Sequence, residues 1–177
     1  MRVGVVCLAT DPWWEWSARA RHLGDLGYEH LWTYDHLSWR QYADGPWHAS
    51  LPLLTATAAV TSRIRLGTRV GSPDFRHPVT LAEDALTLDE ISGGRQGARL
   101  EEECARAGRD PSTVDRTFPA HQSPVSRVEH LGEVAHSHAA LGVTDVVFHH
   151  PRSDDPRWND TPAIVDAIAR QVIPALR

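Results

Sequence analysis

The chain has 177 residues, with 18 basic residues, all of them Arg, against 23 acidic ones, and a formal charge of −5. A mildly acidic balance argues against a phosphate-backbone binder, and the 41% hydrophobic and 23% charged fractions exclude disordered, collagenous and membrane-spanning classes. The absence of lysine rules out a lysine Schiff base or a P-loop lysine.

Strand-like and helix-like segments alternate from the start. Residues 2–9 form an apolar run of strand length, and Asp11-Pro12 then reads as an N-cap and first helical proline for a helix that carries Trp13, Trp16, Ala20 and Leu23 and ends at Gly27. Leu31 to Tyr34 is a second strand, leading into Asp35-His36 and a loop with Trp39, Tyr42, Trp47 and His48. A helix with Leu53, Leu54 and Thr57, a strand within 62–70, a loop over 71–78 and a helix from Val79 to Leu88 follow, the last capped by Gly93 and Gly94. The rhythm then breaks, because residues 95–110 read as a polar helix ending at Gly108 where a strand is due. Residues 116–121 are at best a short strand, since Pro119 argues against a central position. A helix from Val128 to Leu141, a strand over 144–150 and a helix beginning at Thr161-Pro162 complete the chain.

Alternation of this kind implies a mainly parallel sheet with right-handed crossovers, whose ligands bind at the carboxyl ends of the strands. Asp35-His36 sits at such an end, and His36 can donate or accept a proton near neutral pH, or it can simply cap a turn. Asp35 can hold a cofactor hydroxyl, orient the imidazole or form a turn. Of the seven tryptophans, 13, 14, 39 and 47 lie on this expected ligand face and can stack on a flat ring, while Trp16 and Trp32 read as core and Trp158 as a surface anchor. The histidines suggest a metal only weakly. His149 and His150 alternate across a strand, His136 and His138 diverge on a helix, and a site would have to be gathered from His36, His121 and His149, so no metal is expected. Cys7 and Cys104 read as free thiols in a reducing compartment, which makes the cytoplasm the expected location, with no membrane or nucleic-acid partner.

Four stretches in order, 26–38 (LGYEHLWTYDHLS), 61–70 (TSRIRLGTRV), 76–82 (RHPVTLA) and 87–95 (TLDEISGGR), resemble the bacterial-luciferase-like monooxygenase family. The later strings Ala107 to Pro111 and Leu141 to Val147 are similar to further parts of the same pattern. The resemblance implies a TIM barrel whose members use FMN or the deazaflavin coenzyme F-420 in monooxygenases, reductases and dehydrogenases. It implies His36 and Trp39 as the catalytic pair on a small-molecule substrate, and Asp35 with the bulge Thr68, Arg69, Val70, Gly71 and Ser72 as the cofactor-binding set, often with a non-proline cis bond in the bulge.

The same comparison implies a large loss. Family members continue after Ser-Gly-Gly-Arg with strands that hold the cofactor phosphate, whereas here Arg95 runs almost directly into the later helix. The expected fold is therefore one α/β domain over 1–177, an incomplete TIM barrel of about five parallel strands equivalent to barrel strands 7-8-1-2-3, with flanking helices and a deletion near 95–98. A complete barrel of typically about 250 residues in eight units is too long for this chain, which has room for five or six. Two sheet edges are left to cover, and a homodimer through helices 51–61 and 78–91, with small residues Ala56, Ala58, Ala59, Ala82 and Ala85, is the expected cover. The functional expectation is a flavin- or deazaflavin-dependent oxidoreductase of reduced size. The alternative is a non-catalytic flavin- or ligand-binding protein or subunit on a degenerate barrel.

Overall fold

The computed structural model describes residues 1–38, 42, 44–95, 117–120, 127–152 and 163–177. Five strands, β1 (Arg2–Cys7), β2 (His30–Thr33), β3 (Arg65–Thr68), β4 (Thr117–Pro119) and β5 (Asp145–His149), form one sheet in the order β3-β2-β1-β5-β4. Every pairing is parallel, with Val5 opposite both Leu31 and Phe148. That is the order expected of consecutive barrel strands 7-8-1-2-3, and the described strands do not close on themselves. The flanking helices are α1 (Trp13–Asp25), α2 (Ser50–Val60), α3 (Pro78–Ser92), α4 (Val128–Ala139) and α5 (Ala163–Gln171).

Parallel strands covered on both sides read as continuous apolar runs, and β1 and β5 do so. On the outer side Val3, Val5, Cys7, Leu31, Leu66, Val146 and Phe148 join Trp16, Leu23, Leu54, Leu88, Leu131 and Ile168 of the helices in one core. Trp16 is buried here, and its indole N–H donates to the Thr57 hydroxyl at 2.8 Å, so a large apolar surface is removed from water without orphaning its polar atom. On the inner side a smaller cluster gathers Val6, Trp32 and Val147. There Trp32 lies directly on Gly67, where a Cβ would stand 2.5 Å from the indole, and its edge approaches Gly4.

Below this inner layer, at the amino ends of the strands, Asp145 accepts from Arg2 Nε and Nη2 at 2.6 and 2.7 Å, from the Thr144 hydroxyl at 2.6 Å and from His30 Nε2 at 2.7 Å. Burial pushes the Asp145 carboxyl up, but the donors from His30, Arg2 and Thr144 outweigh it and hold the group well below the ordinary carboxylate range. On the β3 side of the sheet Arg95 acts as a pin. Its carbonyl accepts from Leu66 N at 2.8 Å, and its guanidinium reaches carbonyls of Ala58, Thr61, Ile64 and Ser92. The carbonyls left unpaired at the end of α2 find their donors there.

Several boundaries differ from the sequence expectation. Asp11 does not cap α1. Pro12 occupies the N-cap with no side-chain cap, and Asp11 instead forms an ion pair with Arg19 one turn into the helix. The third strand is confined to Arg65–Thr68, because the backbone leaves the ladder at the bulge that follows. Thr117–Pro119 is an edge strand, the position a proline tolerates. Gly93 and Gly94 end α3 with φ of 68° and 80°, as expected of a left-handed cap. Ala58 and Ala85, expected at a subunit contact, are buried in the chain's own packing. Arg95, the first residue of the expected helix over 95–110, is not helical; the rest of that helix, the deletion site beyond Arg95, the helix start at 161–162, Cys104, His121 and Trp158 lie outside the described residues. No helix among the described residues is long and apolar enough to cross a membrane.

Candidate functional site

The carboxyl ends of β2 and β3 are tied together by one buried carboxylate. Asp35 follows β2 by two residues and is 3% exposed. Its Oδ1 accepts from the Ser50 hydroxyl at 2.6 Å and Arg76 Nη2 at 2.8 Å, and its Oδ2 accepts from the Ser72 backbone N–H at 2.9 Å and Arg76 Nη1 at 2.7 Å. Burial raises the carboxyl's pKa, and the hydrogen bonds from Arg76, Ser50 and Ser72 reverse that effect, leaving it below the ordinary range. Four donors fill the acceptor capacity of a carboxylate. Asp35 thus fastens the start of α2, the bulge after β3 and the segment leading to α3 to the end of β2.

The bulge itself continues β3 past Thr68. Arg69 N donates to the Thr33 carbonyl at 2.8 Å, Asp35 N donates to the Val70 carbonyl at 3.3 Å, and the Arg69–Val70 peptide is cis. The Val70 side chain is exposed beyond it, with Leu37 and Phe75 also open on the same face. Gly71 and Ser72 close the turn against Asp35.

His36 leaves this frame into an aromatic setting. Its ring stacks on Tyr34 at 5.4 Å and 16° and meets Trp47 at 6.4 Å, and Trp47 in turn meets Tyr42 at 6.4 Å. The Tyr34 hydroxyl and His149 Nε2 share a hydrogen bond of 2.5 Å that crosses the end of β1 to join β2 with β5. Burial pushes the Tyr34 hydroxyl's pKa up, against the opposing charges of Arg152 and Arg69. The Trp47 indole N–H is buried and has no acceptor among the described residues, in a ring that meets His36. Such a set fits a flat heteroaromatic ring carrying acceptors: rings to stack on, one free donor and an imidazole at the edge.

The sequence-predicted residues are therefore mostly brought together. Asp35, His36, Thr68, Arg69, Val70, Gly71 and Ser72 lie at two neighbouring strand ends, whereas Trp39 lies outside the described residues. Trp13 and Trp14 are open to solvent at the start of α1. His136 and His138 each hydrogen-bond a carbonyl of their own helix at 2.8 Å, and among the described residues no three His, Cys, Asp or Glu side chains converge as metal ligands. Sequence reasoning missed Arg76, Ser50, Tyr34 and the partner of His149. Arg76 had a signal, since it opens the RHPVTLA stretch, but nothing local pointed it at a carboxylate 41 positions away.

A luciferase-like monooxygenase family model matches residues 1–97. The chain belongs to this family. Among curated relatives of this luciferase-like chain, 5,10-methylenetetrahydromethanopterin reductase of Methanopyrus kandleri is 31% identical over 71% of the chain, and 4-hydroxyprotoasukamycin monooxygenase of Streptomyces nodosus subsp. asukaensis is 42% identical over 50% of it. The matched regions span only 33% and 24% of those relatives' own lengths. Among solved structures, the coenzyme F420-dependent tetrahydromethanopterin reductase from Methanopyrus kandleri aligns with 62% of this chain and 30% of its own, at 29% identity and a TM-score of 0.46. The luciferase-like chain presents five parallel strands with flanking helices in a sheet that the described strands do not close, and the family match covers β1, β2, β3 and the loops after them.

Proposed function

We propose that this luciferase-like chain is an oxidoreductase of reduced size that seats an FMN or deazaflavin F-420 ring against the carboxyl ends of β2 and β3 and uses His36 to give or take a proton on a small-molecule substrate. One observation carries the reading: His36 is stacked on Tyr34 beside a buried Trp47 N–H without an acceptor, on loops that Asp35 holds with four hydrogen bonds. When bound, the ring supplies hydride transfer or, for a flavin, oxygen chemistry. The Trp47 N–H would hold a ring acceptor, the backbone over 68–72 would back the ring, and Asp35 would keep that backbone in place without touching the ligand. Trp39 joins His36 in this proposal on family grounds.

The chain is proposed as a single domain over 1–177 that has lost the central barrel units near 95–98, working in the cytoplasm as a homodimer through helices 51–61 and 78–91. Val79, Ala82 and Leu86 lie at helical spacing on the exposed side of α3, next to α2. Sedimentation of the purified protein is expected to give a dimer, and Leu86→Asp is expected to give a monomer. A monomeric wild type overturns this part.

The central test is titration with FMN, reduced FMN and F-420, followed by visible absorbance and fluorescence. Binding of one of them is expected, and His36→Ala is expected to abolish turnover while leaving the fold intact. Binding of none overturns the proposal, and tight binding without turnover of any candidate substrate moves the chain to the non-catalytic ligand-binding class.

A further inference from the structure

Most half-buried arginines of this chain have their guanidinium groups committed. Arg2 is held by Asp145, Arg19 by Asp11 and Arg76 by Asp35, and Arg95 donates to four backbone carbonyls and the Thr61 hydroxyl. Arg69 differs. It is half-buried at the carboxyl end of β3, and among the described residues its guanidinium has neither a carboxylate nor a hydrogen-bond acceptor. Withdrawing a cation from water without pairing it is unfavourable, and burial accordingly lowers the Arg69 pKa.

Its surroundings are cationic. Arg69 and Arg152 are the charges that act on the Tyr34 hydroxyl, and both favour a negative charge there. Asp35, at the neighbouring end of β2, has both oxygens filled by other donors. Tyr34 and His149, joined at 2.5 Å, stand at the ends of β2 and β5 on either side of β1. A planar guanidinium with parallel N–H groups matches the paired oxygens of a carboxylate or phosphate.

We propose that Arg69, with Tyr34, His149 and Arg152 around it, forms an anion subsite at the carboxyl ends of β2, β3 and β5 that takes a carboxylate or phosphate group of the substrate. The assignment of that group to a substrate rests on the oxidoreductase reading above, with the ring on the same face. It makes the substrate class anionic and sets its charged end between Arg69 of the bulge after β3 and the end of β5.

Calorimetric titration of the cofactor-free protein with inorganic phosphate and with acetate, at constant ionic strength, tests the subsite. At least one is expected to bind, and Arg69→Met is expected to weaken it about tenfold or more, the scale of a lost charge-assisted hydrogen-bond pair. Arg69→Lys, which keeps the charge and loses the fork, is expected to weaken binding less and carries the test if the Met variant does not fold. Arg63→Met, at an exposed arginine away from this face, is expected to have no effect. Wild-type protein that binds neither anion, or equal binding by wild type and the Arg69 variants, overturns the subsite.

The titration is then repeated on protein saturated with riboflavin and with FMN. Phosphate or acetate binding that survives FMN supports a substrate anion, whereas loss with FMN but not with riboflavin assigns the subsite to the cofactor's own phosphate and overturns the substrate assignment. If neither flavin nor F-420 binds, the oxidoreductase reading fails, while the phosphate and acetate titrations still decide the subsite itself.

Discussion

Two aspartates at opposite ends of the sheet are built almost alike and do different things. Asp35 and Asp145 are both buried, both take two nitrogens of one arginine and both hold their carboxyl groups below the ordinary range. Asp145 lies inside β5, and its arginine and histidine partners come from β1 and β2, so its hydrogen bonds stitch three strands at their amino ends. Asp35 lies beyond β2, and its partners come from a helix start and two loop positions, so the same chemistry shapes the face where a ligand would sit. In barrel folds the carboxyl end carries function and the amino end carries stability, and one motif used at both ends separates the two roles within a single chain.

The largest effect is expected at the amino end. Asp145→Ala leaves Arg2 and the buried His30 without their carboxylate and is expected to cost about 3 kcal/mol of unfolding free energy in urea, near the low end for a broken buried pair because Arg2 is partly exposed. A loss below about 1 kcal/mol would mean that the cluster does not hold the strands. Asp35→Asn is expected to cost less, about 1–3 kcal/mol. Unlike the Asp145 variant, it is expected to remove flavin or deazaflavin binding while the protein is still folded. If both variants bind cofactor equally well, the division between the two ends collapses.

The remaining effect is a pH dependence. Burial, aided by the charge of Arg19, pushes the His150 imidazole down to about 4 in the folded protein. The unfolded chain takes up that proton near its ordinary value of about 6.5, so stability from this residue is complete above that pH and declines as pH falls toward 4. The two depressed carboxylates keep their contribution down to the ordinary carboxylate value and lose it only in stronger acid. Urea midpoints measured from pH 7 to pH 4 are expected to fall for the wild type and to fall less for His150→Gln. Parallel curves would assign the slope elsewhere.

Strand order was legible because apolar runs and glycine-ended helices are local signals, and the family motifs placed them around an arc. The ends of elements were less so. Asp11 reads as an N-cap until Arg19, one turn into α1, competes for its carboxylate. The site was half legible. Asp35 and His36 are adjacent in sequence, and the 68–72 bulge carries its own motif, but what Asp35 does depends on Ser50 and Arg76, 15 and 41 positions away. The Tyr34 to His149 bond joins residues separated by 115 positions across an intervening strand, and no periodicity encodes which side chains meet there. Arg69 was legible as part of a motif, yet its lack of a counter-ion among the described residues is a three-dimensional property.

The placement of Trp32 bears on how a barrel can shrink. In a complete barrel the inner layers are filled by side chains that reach toward the axis from alternate strands around the ring. Here one indole lies over Gly67 on one neighbouring strand, too close for a side chain there, and reaches Gly4 on the other, where His30 and the indole together crowd the space a side chain would need. The arc fills its own concave side. A sheet packed in that way does not depend on a far wall for its inner layer, so the described strands keep a packed interior without a closed barrel around them.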